Sequence, residues 1–186
     1  MAGLSGIKVT LILAMLALVL RMGLFYAGVQ VAPFDLIPVH LLFIVLATFF
    51  SGHLLLNHDP SRGFGELARA AFQTMFLYAF LISLFSWFFY RVIDTTAFSD
   101  YNARLVEGFV QQGHGRDESW ERVNALYNAT SYAAITFFGL FLAGSFNALA
   151  FAALHHKVFR RFRNKPGQPA PKPPADGTTK GPAVRQ

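Results

Sequence analysis

The chain has 186 residues, 54% of them hydrophobic and only 14% charged, with a mean hydropathy of +0.40. Soluble domains carry about a quarter charged residues, so a soluble enzyme, a soluble nucleic-acid binder and a disordered chain are all poor readings of the whole. The net charge of +6 is concentrated, because eight of the sixteen Lys and Arg residues lie after His155.

Four apolar runs follow one another, at 7–29, 36–56, 70–90 and 133–154. Each reaches the roughly 20 residues that a helix needs to cross a bilayer core of about 30 Å. The runs show no alternation of period two, and a barrel strand would need only about 10 residues. In hydrocarbon every amide must be paired within its own segment, which a helix achieves alone. The expected fold is therefore all-α and polytopic, with four transmembrane helices and antiparallel neighbours. Lys8 and the apolar run after it have the shape of a signal peptide. Arg21 then interrupts the run and no small-x-small pair precedes a cut, so a retained anchor is expected.

Short connections join the first two pairs. Pro33 lies in the first, and Asn57, Asp59, Pro60, Ser61 and Gly63 supply turn chemistry to the second. The third connection, 92–132, is long. Phe98, Tyr101, Leu105 and Phe109 recur at helical spacing there, Gly113 and Gly115 break the pattern, and Asp117 is placed to cap a second helix carrying Trp120, Val123 and Tyr127. Asn128-Ala129-Thr130 matches a glycosylation sequon, but it abuts the fourth span and is read as incidental. From His155 to Lys165, a basic cluster of Lys157, Arg160, Arg161, Arg163 and Lys165 extends the last helix and is expected to lie against anionic lipid headgroups. Residues 166–186 are rich in proline, bury nothing and are expected to be a disordered cytoplasmic tail.

Charge sets the expected orientation. Lys8, Arg62, Arg69 and the tail place positives on one side, and cytoplasmic flanks collect Lys and Arg. The third loop carries Arg104, Arg116 and Arg122 against Asp94, Asp100, Glu107, Asp117, Glu118 and Glu121. Both termini are expected to be cytoplasmic and the loop external. Aromatic residues at Phe25, Tyr26, 87–90, Tyr127 and Tyr132 mark the external edges. Orientation and lipid contact account for the basic tail, so no nucleic-acid partner is expected.

Polar residues inside the spans are costly unless paired or used. Arg21 stands out, eight residues before Val29, and none of the four spans holds an Asp or Glu. Its charge must snorkel toward Asp35, Asp94 or lipid phosphate, or use carbonyls and hydroxyls; binding of an anionic ligand is the alternative. His53, Gln73 and Asn147 lie at matching depths near the opposite edge, which permits a hydrogen-bonded knot extended by Asn57, Arg69 and Glu66. Two stripes of small residues, Ala79, Ser83 and Ser86 in the third span and Thr136, Gly139, Ala143, Asn147 and Ala150 in the fourth, are expected to pack inside the bundle. No Cys nucleophile, phosphate loop or metal motif is present, and His155-His156 has no carboxylate partner, so neither an enzyme nor a cofactor is expected.

The order of features, with Gly63-Phe64-Gly65-Glu66 entering the third span, Ala70 and Phe72 after it, Phe89-Tyr90-Arg91-Val92-Ile93-Asp94 leaving it, and an acidic helical loop before the last span, resembles a bacterial family catalogued as a domain of unknown function, number 4199. The likeness covers about residues 5 to 165. It implies a small multi-pass protein of the bacterial inner membrane and transfers no catalytic or ligand residues. The sequence therefore reads as a non-enzymatic assembly or envelope component, with a membrane-protein partner or a second copy of itself. The alternative is a subunit of a small-solute transporter or channel.

Overall fold

The structure is a computed structural model that describes residues 2–159, with side chains from 6 to 158. Among these residues the fold is all-α. The elements in order are α1 (Ala2–Tyr26), α2 (Ile37–His58), α3 (Phe64–Phe88) with a π turn at Phe89–Ile93, α4 (Ala97–Gln111), α5 (Arg116–Leu126), and α6 (Ala129–Leu154) with a second π turn at His155–Phe159. Four helices are long and apolar enough to cross a membrane: Gly6–Tyr26, Ile37–His58, Phe64–Ile93 and Ala129–Val158. They pack as an antiparallel bundle in which the α3–α6 seam is the most extensive.

The helix bounds differ from the apolar runs for local reasons. Helix α1 stops at Tyr26, where Gly28 at φ 72° turns the chain, so Val29 is not helical. Helix α3 starts six residues before its apolar run, because the Glu66 carboxylate accepts the Gly63 N–H at 3.1 Å and satisfies an amide that the first turn leaves unpaired. Glu66 also pairs with Arg62, itself 3.0 Å from Asp59. The Ser61 hydroxyl and N–H hold the Asp59 carboxyl below its usual range.

Helix α6 starts at Asn128, whose side-chain oxygen accepts from Thr130 N at 3.1 Å and Ser131 N at 2.9 Å. The amide nitrogen donates to the carbonyls of Asn124 and Ala125, so the sequon asparagine is occupied as a cap. Asn128→Ala is expected to cost about 1 kcal/mol, seen as a lowered unfolding midpoint of the purified protein; no change would mean that packing alone starts the helix.

One end of the bundle carries the α1–α2 turn and the α4–α5 hairpin, and is called here the loop end. At the other, the tail end, Gly6 lies beside Ser51 and Thr74, and Gly52 beside the ring of His155. Between them Ala14, Ala17, Ile44, Met75, Tyr78, Ala79, Ile82 and Leu140 form the central core. Gly144 belongs to this layer by geometry: a Cβ there would lie 2.7 Å from Ile44 Cδ1 and 3.0 Å from Met75 Cβ.

The buried stripe of α6 is therefore Ala133, Leu140, Gly144, Ala148 and Ala152. Gly139 and Ala150, expected inside, are exposed. Thr136, Ala143 and Asn147 are half-buried, so the expected stripe lies at the flank of the seam, because composition alone does not set which small residues face inward. On α3 the expectation holds for Ala79 and Ser86, both buried, while the half-buried Ser83 donates to Ala133 O at 2.8 Å and ties α3 to α6.

The connection at 92–132 folds as two helices, as its periodicity predicts. Helix α4 begins at Ala97 and buries Phe98, Asn102 and Val106. Gly113, at φ 91°, makes the turn. Helix α5 begins two residues earlier than expected: Gly115 is its N-cap, and Asp117 stands in the first turn without capping, where its charge still favours the helix N-terminus.

Candidate functional site

The most elaborate polar site sits at the loop end around Arg21. Helix α1 ends five residues later, so the guanidinium starts about 8 Å from the helix end. Its Nη1 donates to Val31 O at 3.1 Å and its Nη2 to Asp94 Oδ2 at 3.3 Å. The charge also lies over two rings, 4.7 Å from the centroid of Phe89 and 5.3 Å from that of Tyr90. Such contacts are worth about 2 kcal/mol or more where water is excluded. Arg21 is 6% exposed. It is thus neutralised inside the protein by one of the two acids read as candidates; Asp35 is spent on the Ala32 N–H at 2.9 Å.

The π turn makes this constellation. It admits one extra residue, so the Asp94 N–H bonds back to Phe89 O at 2.9 Å, five residues away. Residues i and i+5 then share a face, and Phe89, Tyr90 and Asp94 meet Arg21 together. No residue in 89–93 announces a π turn. The available signal was an Arg without a carboxylate in any span, followed by an aromatic exit that ends in Asp94.

Aromatic contacts extend the site outward. The Tyr132 hydroxyl donates to Pro33 O, joining α6 to the α1–α2 turn. Tyr132 also packs on Phe34, Tyr90 and Phe98 at centroid distances of 5.1, 5.2 and 5.8 Å. Phe34 reaches Tyr101 and Tyr127 above. Asn102, buried between α4 and α5, donates to Asn124 Oδ1 at 2.8 Å and Tyr127 O at 2.9 Å. The hairpin is thus fixed to the bundle by rings and to itself by one amide. Asn102→Leu is expected to raise amide hydrogen exchange in α5 several-fold while leaving the central core protected. Equal exchange in both proteins would remove Asn102 as the clasp.

Deeper in the bundle, His40 Nδ1 and the Tyr78 hydroxyl meet at 3.2 Å. Arg21, His40, Ser86, Tyr90 and Tyr132 line one small cavity beneath the α1–α2 turn. Below Tyr78 the apolar layer of Ala14, Ile44 and Met75 closes the interior. No family model, curated protein or solved structure matches the chain.

The knot expected at the tail end does not form. Gln73 is exposed, Asn147 donates to Ala143 O of its own helix at 2.9 Å, and among the described residues no hydrogen bond joins either to His53. Glu66 is taken by Arg62. Matching depth fixes only one coordinate. At about 100° per residue, Gln73 is turned away from the buried Thr74 beside it. His53 instead stacks on Phe49, at 5.9 Å and 11°, with the His155 ring 6.4 Å away. His155 is fully buried, with Nδ1 2.7 Å from Phe151 O. It belongs to the bundle rather than to the basic extension. Of the basic cluster, Lys157 is exposed, and Arg160, Arg161, Arg163 and Lys165 lie outside the described residues, as does the tail at 166–186.

Proposed function

We propose that this polytopic membrane protein is a non-enzymatic assembly or envelope component of the bacterial inner membrane, with both termini cytoplasmic and the α4–α5 hairpin as its docking element. The observation that carries the reading is the anchoring of that hairpin. Phe98 packs on Tyr90 and Tyr132, and Tyr101 on Phe34, which seats the hairpin on the bundle, while its outer surface exposes Asp100, Glu107, Asp117, Glu118 and Glu121. A hairpin already folded before a partner arrives reduces the ordering cost of binding it. The orientation is supported by the distribution of Lys and Arg. Anionic headgroups at the basic segment from Lys157 onward are the proposed lipid partner.

Placement in the bacterial family of unknown function, number 4199, remains part of this proposal. Its supporting motifs have structural roles here: Gly63 and Glu66 start α3, and 89–94 form the seat of Arg21. The transporter reading is less favoured, because the apolar layer of Ala14, Ile44 and Met75 separates the loop-end polar groups from those of the tail end within one chain.

Crosslinking in intact membranes, from photoreactive residues placed at Glu107 and Glu118, tests the reading. A partner or second copy captured from these sites, and lost when 97–126 is replaced by a short linker, is the expected result. Capture that persists without the hairpin would move the interface elsewhere, and solute flux in proteoliposomes of the pure chain would favour transport.

A further inference from the structure

The Arg21 neighbourhood contains polar groups that its ion pair does not use. The Nε–H of Arg21 is buried and has no acceptor among the described residues. Ser86, one helix away on α3, is a buried residue, and its hydroxyl forms no hydrogen bond among the described residues. Both residues line the same cavity, of about 10 Å³, together with His40, Tyr90, Tyr132 and Pro33. Leaving a buried donor unmet costs about 1 to 3 kcal/mol, and more for a charged group.

We propose that this cavity is a binding site for one ordered water molecule, which accepts from Arg21 Nε and hydrogen-bonds to Ser86. Size and charge select the ligand. A cavity of this volume is about one water sphere, and a water requires two to four polar partners. Asp94 already balances the guanidinium, so an anion would add an uncompensated charge in a low-dielectric interior, which is strongly unfavourable. A larger neutral ligand does not fit. The water completes the set of guanidinium partners and links α1 to α3 through Arg21 and Ser86. It also places His40, which holds Tyr78 on its Nδ1 side, beside an exchangeable hydrogen-bonding molecule.

The test is X-ray hydroxyl-radical labelling of the full chain in nanodiscs after rapid mixing with water enriched in oxygen-18. Radicals formed at an internal water label its aromatic neighbours although bulk solvent does not reach them. Tyr90 and Tyr132 are expected to take up the isotope several-fold above Met75, a reactive but fully buried residue outside the cavity. Ser86→Val, which fills the space and removes the hydroxyl, is expected to abolish that excess. Ala17→Val fills the same space from the α1 side, so one variant that folds suffices, with wild-type labelling as a separate check. Labelling of Tyr90 and Tyr132 no higher than Met75 would overturn the proposal. So would an excess that survives both fillings, or one that disappears whenever chloride replaces a bulky anion in the buffer, which would identify an ion as the occupant. None of these outcomes depends on whether the hairpin binds a partner.

Discussion

Arg21→Met is expected to destabilise the bundle by about 3 kcal/mol, the lower end of what removing one member of a buried ion pair costs. The loss leaves Asp94 and Val31 O without their donors and takes the cation from the rings of Phe89 and Tyr90. The effect should appear at the loop end first, as increased exchange at 89–94 and in α4. Asp94→Asn in the Arg21→Met background is expected to recover part of the loss, since removing both charges leaves neither uncompensated. The measurement is equilibrium unfolding of the three proteins in mixed micelles. An Arg21→Met protein within about 0.5 kcal/mol of the wild type, a difference typical of an inconsequential surface change, would mean that the guanidinium is served by lipid phosphate.

Gly144→Val is the second large effect. Helices α2, α3 and α6 approach so closely there that even the first side-chain carbon would lie 2.7 Å from Ile44 Cδ1 and 3.0 Å from Met75 Cβ. Overpacking of a filled core costs about 1 to 3 kcal/mol. Gly144→Ala belongs in that range, and the branched side chain of valine at or above its top. Ile44→Val removes the nearest atom and is expected to relieve Gly144→Ala partially, with Met75 Cβ keeping a residual strain. Unfolding midpoints of the single and double variants report the coupling. Additive effects would show that Ile44 is not the residue in the way.

What was legible in the sequence follows from which physical constraint acts locally. The spans could be read because hydrocarbon demands an uninterrupted apolar run, and the bundle has a helix for each run. The two hairpin helices could be read because Phe98, Tyr101, Leu105 and Phe109 repeat at the helical period and glycines punctuate them. Asp94 was among the candidate partners of Arg21 on charge alone. Rotational placement was not legible. Gly144 and Gly139 are alike in composition, yet one is clamped between Ile44 and Met75 while the other has open space around it, a distinction made by neighbours far away in the chain. The same blindness produced the expected knot of His53, Gln73 and Asn147. The burial of His155 was concealed by the basic residues that follow it, although Gly52 on another helix leaves the room its ring occupies.

The single additional residue at 89–93 acts as a spacer in the shaft that joins the membrane portion to the α4–α5 head. Because each helical residue advances the chain by about 100°, the compass bearing of the α4–α5 head is set by a count of residues and not by which side chains they carry. Excising one residue there would swing the head by roughly a quarter turn and carry Asp94 away from Arg21, whereas exchanging one aliphatic residue for another at Val92 would leave its heading unchanged.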